Sequence, residues 1–450
     1  MTNHKAHIVS LGCPKNLVDS EVMSAQLLSC GYETTDHPEQ ADLILLNTCA
    51  FILPAKEESI DEILRLAQYK DPSHGVCRRL VVAGCLPQRY GRSLEKSLPE
   101  VDLFIGTGEV AKIGRHVRTL EGQIDDKPRT ISAEPSFLMN AGMPRVLATA
   151  PHTAYLKIAE GCSNHCSYCV IPMIRGHARS RPLHDIIREA EVLAARGVRE
   201  IILIAQDTTA YGRDLKEQPT LDKLLQELVG VKAIKWIRIL YTYPGGLDRE
   251  ILQTIAREDK ICKYLDIPIQ HSEDRILTAM NRRASQGEII QAIDEIRREI
   301  PGIALRTSLI VGFPGETEKE FRKLLDFVKK VRFDHLGVFT YSREEDTPAA
   351  SLPKQVSGRV KEERRRRIME EQAVISYNIN QELIGSRETL LVEGVSDLDG
   401  YSHSGRLRRQ APEIDGLTYI KGANLAVGSL VECHITAADD YDLFALVEPG

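Results

Sequence analysis

Hydrophobic and polar positions alternate along the first 125 residues in two registers. The apolar runs HIVSLGC, DLILLNTC, RLVVAGC and VDLFIGTG are short and continuous, and NLVDSEVMSAQLLSC and EESIDEILRLAQY between them repeat with helical spacing. That alternation predicts a βαβαβ domain over residues 1–125 built on an open parallel sheet. A sparse, Pro-containing stretch from Asp125 to His152 reads as a linker. From Ala154 six apolar runs, YLKIAEGC, EIILIAQD, WIRILYT, YLDIPIQH, ALRTSLIVG and HLGVFTYS, recur between helical stretches at Leu183 to Ala195, Leu221 to Leu228, Gly287 to Glu299 and Lys319 to Val331. Six βα repeats predict an incomplete TIM-like barrel over residues 148–380, with its chemistry at the C-terminal ends of the strands. A charged helix, KEERRRRIMEEQAVISYNINQEL, closes it. The pattern then changes to strands only, ETLLVEGV, YSHSGRL, LTYIKG, SLVECHITA and DLFALVE. These predict a small antiparallel, OB-like β-barrel over residues 381–450.

Length and composition agree with a three-domain α/β protein. The chain has 450 residues, 42% hydrophobic and 27% charged, close to globular averages. No apolar run approaches the ~18 residues that span a bilayer, and the start MTNHKAHIVSLGC lacks a secretory pattern. A cytoplasmic protein without a membrane partner is expected. The net charge is −6, but from Gln381 onward five Lys/Arg face twelve Asp/Glu, a net −7, which disfavours phosphate binding there. Arg364 to Arg367 alternate with Glu362, Glu363, Glu370 and Glu371; this predicts a solvated, salt-bridged helix face rather than a nucleic-acid patch. His403, Arg406, Arg408 and Arg409 read as a solvated hairpin.

Ten cysteines are too few for a disulfide scaffold and are expected as thiols or metal ligands. Cys162, Cys166 and Cys169 fall within eight residues just after the first barrel strand. Three thiolates fit a [4Fe-4S] cluster that keeps one iron open, a position suited to the amine and carboxylate of S-adenosylmethionine. The alternative is a zinc knuckle completed by His165 or another cysteine. Cys13, Cys49 and Cys85 are each 36 residues apart and each ends a predicted parallel strand, where an open α/β sheet gathers its ligand site. Three thiolates there could share a second cluster; the alternative is a buried apolar trio. Cys30, Cys77, Cys262 and Cys433 show no such arrangement and read as ordinary small side chains.

CxxxCxxC with Tyr168 before its last cysteine resembles the radical S-adenosylmethionine superfamily. The three-cysteine first domain, the barrel and the β-domain together resemble the methylthiotransferases over essentially the whole chain. SLGCPKNLVDSE, AEGCSNHCSYCVIPMIRG and APEIDG resemble the ribosomal-protein branch. The transfer-RNA branch usually carries a GCQMN-like segment at the first cysteine. The resemblance implies addition of a methylthio group to the β-carbon of an aspartate in ribosomal protein S-twelve, with modification of transfer-RNA adenosine as the alternative. It implies two [4Fe-4S] clusters, one on Cys162, Cys166 and Cys169 and an auxiliary one on Cys13, Cys49 and Cys85. Ribosomal protein S-twelve or the small ribosomal subunit as partner, S-adenosylmethionine, a reduced flavodoxin-like electron donor, a sulfur donor and a C-terminal TRAM module follow. Around the cofactor, Tyr168, Gln206, Gln270, Arg306 and Gly312 are the expected contacts at the barrel mouth.

Overall fold

The computed structural model describes residues 4–122, 129–422 and 425–447. The first domain holds β1 (His4–Ser10), β2 (Tyr32–Thr34), β3 (Leu43–Thr48), β4 (Arg79–Gly84), β5 (Leu103–Gly106) and β6 (Arg129–Ile131). They form one sheet in the order β2-β1-β3-β4-β5-β6, every adjacent pair parallel. β3 is buried at all six positions, as a parallel strand covered on both faces must be. The two edge strands are departures from the sequence reading. At three residues each they are too short to show a period. β6 also lies inside the expected linker, pairing Phe104 with Thr130, so the first sheet continues past residue 125. Residues 125–128 themselves lie outside the described residues.

The central domain opens with β7 (Thr153–Lys157), then the two-residue strands β8 (Ala159–Glu160) and β9 (Arg179–Ser180), which pair antiparallel around the cysteine loop. β10 (Glu200–Ile204), β11 (Trp236–Ile239), β12 (Ile261–Asp266), β13 (Ala304–Val311) and β14 (His335–Thr340) follow. All six expected strands stand side by side and parallel in the order β14-β13-β12-β11-β10-β7. The sheet remains open between β7 and β14, as an incomplete barrel. Four expected helices appear as Leu183–Ala195, Leu221–Val229, Gln286–Glu299 and Glu318–Val331. Three of them carry the start signals their sequences spell: Thr220 accepts from the Lys223 N–H, and Ser285 with Glu288 and Thr317 with Glu320 form capping boxes.

The long helix Gly358–Gln381 lays Ile368 and Ile375 into the barrel core. Its arginines follow the salt-bridged reading with one exception. Arg365, Arg366 and Arg367 pair with Glu362, Glu363 and Glu318 at 2.8, 2.8 and 3.1 Å. Arg364 is buried and holds Glu316 at 2.9 Å, because it occupies the face that Ile368 also presents, one helical turn on.

β15 (Arg387–Val395), β16 (His403–Leu407), β17 (Thr418–Lys421), β18 (Leu430–Ala438) and β19 (Leu443–Val447) close into a barrel in the order β15-β16-β17-β19-β18. It is not wholly antiparallel: β17 and β19 run parallel, Thr418 opposite Leu443. A closed ring with an odd number of strands cannot alternate direction throughout. The expected solvated hairpin is also corrected. Arg406 is fully buried, paired with Glu200 of β10 and with Glu393 at 2.8 Å. Arg238 of β11 reaches the same Glu200 at 2.9 Å, Arg409 holds Asp334 at 2.6 Å, and Arg408 donates to the Asp259 carbonyl. The strip fastens the C-terminal barrel to the central one. Among the described residues no helix is long and apolar enough to cross a membrane.

Candidate functional site

β1, β3 and β4 are neighbours, so the chain leaving each brings Cys13, Cys49 and Cys85 to one edge of the sheet. Cys49 directly follows β3 and Cys85 directly follows β4; Cys13 lies three residues past β1 and precedes the helix Pro14–Ser29, whose first residue is proline. Two glycines let the turns close. Gly12 has φ +88°, and a Cβ on it would stand 2.8 Å from Cys49 Cβ and 3.1 Å from its Sγ. Gly84 has φ +98°, and its Cβ would come within 2.8 Å of the Thr48 carbonyl oxygen. Burial pushes the Cys49 thiol up to about 12, with the charges of Cys85 and Cys13 adding to the rise. Burial likewise raises Cys85, opposed by Arg175, whose Nη2 lies 3.6 Å from the Cys85 Sγ. A metal held by these thiols would have to displace their protons.

The second triad lies on the loop between β8 and β9. Its neck is closed where Cys162 N–H donates to the Gly176 carbonyl at 3.0 Å. Cys169 N–H donates to the Cys166 carbonyl at 3.1 Å, and Ile171 N–H points at Cys169 Sγ at 3.4 Å. Side chains anchor the loop to the barrel. Asn164 Nδ2 donates to Asp207 at 2.8 Å, Asn281 Nδ2 to the His165 carbonyl at 2.6 Å, and Ser167 Oγ to the Ala279 carbonyl at 2.7 Å. Arg282 brings its guanidinium to 4.0 Å from Cys166 Sγ and over the Tyr243 ring. Burial raises the Cys169 thiol to about 12 and raises Cys162 as well. Among the described residues no three His, Cys, Asp or Glu side chains converge as ligands of a single metal ion. His165 is exposed.

Between the triads lies a buried ion network that joins the two domains. Lys157 of β7 donates to Asp19 at 2.5 Å and Glu160 at 2.8 Å. Arg175 reaches Asp19 at 2.6 Å, Glu160 at 3.4 Å and the Asn16 side-chain oxygen. Burial alone would lift the Glu160 carboxyl, but Lys157 and Arg175 hold it below the usual range. Asn16 is wholly buried and donates to the Leu11 and Thr48 carbonyls, tying the turn at Cys13 to that at Cys49.

The expected cofactor contacts separate into groups. Gln206 follows β10, donates Nε2 to Glu160 at 2.6 Å, and leaves its Oε1 buried without a partner. Tyr168 stands in the cysteine loop beside Cys166 and Arg282 and packs with Phe313 and Tyr341. Gln270 has φ +70° and bridges Leu309 through its backbone. Arg306 differs from the expectation of a free strand-end group. It lies third in β13, bound to Asp266 at 2.9 Å and near Asp415 of the C-terminal domain at 3.6 Å. Gly312 (φ +73°) also has another reason: a Cβ there would meet Lys361 Cγ at 2.3 Å, so the long helix is the close neighbour that excludes a side chain.

Sequence reasoning passed over Lys15, Asn16, Asp19, Lys157, Glu160, Arg175 and Arg282 as site residues. All but Lys157 and Arg282 stand inside the two quoted motifs SLGCPKNLVDSE and AEGCSNHCSYCVIPMIRG; a charged or amide side chain pinned inside a cysteine motif is the signal that could have found them.

Three family profiles match the chain: UPF0004, described as an uncharacterized protein family, over residues 5–106; the radical SAM superfamily over 156–328; and the TRAM domain over 384–447. A solved radical S-adenosylmethionine methyltransferase, TsrM from Kitasatospora setae, shares the fold with a TM-score of 0.54 at 15% identity, over 77% of this chain and 74% of that one. Fold and site thus define a radical S-adenosylmethionine protein carrying an N-terminal α/β domain and a TRAM barrel. Among its relatives, the ribosomal protein uS12 methylthiotransferase RimO of Syntrophus aciditrophicus is 61% identical over 450 residues, 99% of each chain. RimO of Geotalea uraniireducens is 52% identical over 99% of this chain and 98% of its own, and RimO of Heliobacterium modesticaldum 48% identical over 99% and 96%. The chain belongs to the RimO family of ribosomal protein uS12 methylthiotransferases.

Proposed function

We propose that this enzyme replaces a hydrogen on the β-carbon of an aspartate in ribosomal protein uS12 with a methylthio group, using two [4Fe-4S] clusters and S-adenosylmethionine. The observation that carries the reading is the pair of cysteine triads, one on each domain, locked together by the buried network of Asp19, Lys157, Glu160 and Arg175. The donor sets fit the groups. Each triad offers three free thiols and leaves a fourth coordination position of its cluster to another ligand. The orphaned Gln206 Oε1 suits an N–H or O–H donor on the cofactor. When bound, the clusters and S-adenosylmethionine supply the electron, the hydrogen-abstracting radical and the methylated sulfur that no side chain can provide.

The chain's own residues perform the rest. Cys162, Cys166 and Cys169 hold one cluster, and Cys13, Cys49 and Cys85 the other. Arg282 and Arg175 each place positive charge beside one triad and favour the anionic thiolates. Gln206, with Tyr168 and Gln270, orients the cofactor, while Arg306 positions Asp266 at the end of β12. The net −7 of the C-terminal segment suits a basic ribosomal protein better than phosphate. A reduced flavodoxin-like protein supplies electrons, and a sulfur donor reloads the auxiliary site.

The test is anaerobic reconstitution followed by S-adenosylmethionine, reductant, sulfide and a peptide carrying the uS12 aspartate. A mass gain matching methylthio for hydrogen on the aspartate is expected; no gain on the peptide, with modified adenosine when transfer RNA is supplied, overturns the reading. Changing Cys162, Cys166 and Cys169 to Ala abolishes deoxyadenosine formation and removes about half the iron. Changing Cys13, Cys49 and Cys85 to Ala leaves cofactor cleavage and stops sulfur insertion.

A further inference from the structure

Eight lysine and arginine residues are buried among the described residues. Seven have a carboxylate within ion-pair distance, Lys157 and Arg175 beside the site among them. Lys15, only 6% exposed, has none within that distance: the negative groups that face it, Cys13, Asp266 and Glu160, are committed elsewhere, Cys13 to its triad and the two carboxylates to Arg306 and Lys157. Its Nζ rests on the face of Tyr241, 2.9 Å from the ring centroid. An aromatic face recovers only part of what removal from water costs an ammonium. Burying an unpaired charge is strongly unfavourable unless a partner arrives.

The location says which partner. Lys15 is two residues beyond Cys13 and extends from the first domain to Tyr241, two residues past β11 at the mouth of the barrel. Tyr241 is pinned there in a left-handed conformation, φ +61°. Its N–H donates to Asp266 Oδ2 at 3.0 Å and its carbonyl accepts from Thr208 N–H at 3.0 Å. That conformation is costly for a non-glycine residue and persists only where its surroundings enforce it. The ammonium is thus held on a fixed aromatic seat, between the domain that carries one triad and the barrel mouth that carries the other.

We propose that Lys15 reads the side-chain carboxylate of the substrate aspartate. The inference rests on the function proposed above. In aspartate the β-carbon is bonded directly to the carboxylate carbon, so a cation that fixes the carboxylate fixes the reacting carbon one bond away. The other carboxylate brought to the site, that of S-adenosylmethionine, already has the open iron as its ligand in that reading. The neighbouring cations, Arg175, Lys157 and Arg306, are occupied by Asp19, Glu160 and Asp266. An ammonium left unpaired also penalises an uncharged side chain in the same place, which makes Lys15 a specificity residue.

The experiment uses the full-length reconstituted enzyme, Lys15→Met and Lys15→Arg, with loop peptides carrying Asp or Asn at the target position. Peptide affinity is read by fluorescence anisotropy without reductant, then KM for peptide and cofactor under turnover, with iron per chain as the check on folding. The wild-type enzyme is expected to bind the Asp peptide at least tenfold more tightly than the Asn peptide. In Lys15→Met that ratio collapses toward one and the peptide KM rises at least tenfold, with the effect on the peptide and not on the cofactor KM. Lys15→Arg retains most of the discrimination. A Lys15→Met enzyme that still prefers Asp tenfold overturns the proposal. A raised cofactor KM with discrimination intact overturns it in favour of the cofactor's carboxylate, and loss of iron in both variants in favour of a structural role. If the wild-type enzyme binds the Asp peptide selectively yet never modifies it, the reaction assigned above fails while the carboxylate reader stands.

Discussion

Gly12 shows how narrowly the first triad is built. A methyl group there meets Cys49 on both Cβ and Sγ, on a backbone at φ +88° that favours glycine. Gly12→Ala is therefore expected to lower iron per chain to about half while deoxyadenosine formation persists, measured by iron assay and by product analysis on one preparation. Loss of all iron would show that the two triads do not load separately. At this scale the gathering of Cys13, Cys49 and Cys85 was legible, because each follows an apolar run that becomes one of three neighbouring strands. Their helpers were not. Arg175 meets Asn16 across 159 residues of chain, and nothing local to either residue announces the other. The cofactor contacts were legible only as positions: Gln206 keeps a free oxygen, whereas Arg306 is engaged by two carboxylates and Gly312 by Lys361.

Elements with a long period or a cap were read correctly, and elements set by their neighbours were not. Ser285 and Glu288 announce the start of Gln286–Glu299, and the six barrel strands announce themselves by apolar runs. β2 and β6 exist because a sheet edge was available, and the parallel pairing of β17 with β19 because a five-membered ring had to close. The helix Gly358–Gln381 gives the clearest test. Arg364 looks like its three arginine neighbours, yet it alone is buried on Glu316, whose carboxyl burial has already raised to about 7. Arg364→Ala removes the charge that opposes this rise, so the carboxyl protonates and loses a buried partner, and the change is expected to cost about 1–3 kcal/mol, read from the urea midpoint. Arg366→Ala, on an exposed pair, is expected to change it by less than about 1 kcal/mol.

Across the whole molecule, the two sheets and the C-terminal barrel are joined by buried charge. Burial would lift the Glu200 carboxyl, but Arg406 and Arg238 hold it at about 2, below its ordinary 4.5. A depressed carboxyl contributes its full stabilisation above about pH 4.5 and loses it as the pH falls toward 2; the whole shift is worth on the order of 3 kcal/mol. Glu200→Gln is expected to reproduce the acid effect at neutral pH, exposing the junction near Gln381 to protease at least tenfold faster than in the parent protein. Equal cleavage rates would show that the apolar contacts suffice. The sequence placed Arg406 in a solvated strip because its partner lies 206 residues earlier in the chain.

That shared carboxylate also bears on ancestry. Glu200 belongs to one domain and serves an arginine from its own sheet and another from the barrel that follows. A graft that brings in a C-terminal barrel without Arg406 leaves a buried anion with half its counter-charge, and a host without Glu200 leaves two arginines facing each other. The modules are therefore not interchangeable cassettes. Descent can alter this seam only by changing both sides together, and a chimaera made at residue 381 is expected to fold only when Glu200, Arg238 and Arg406 travel as one set.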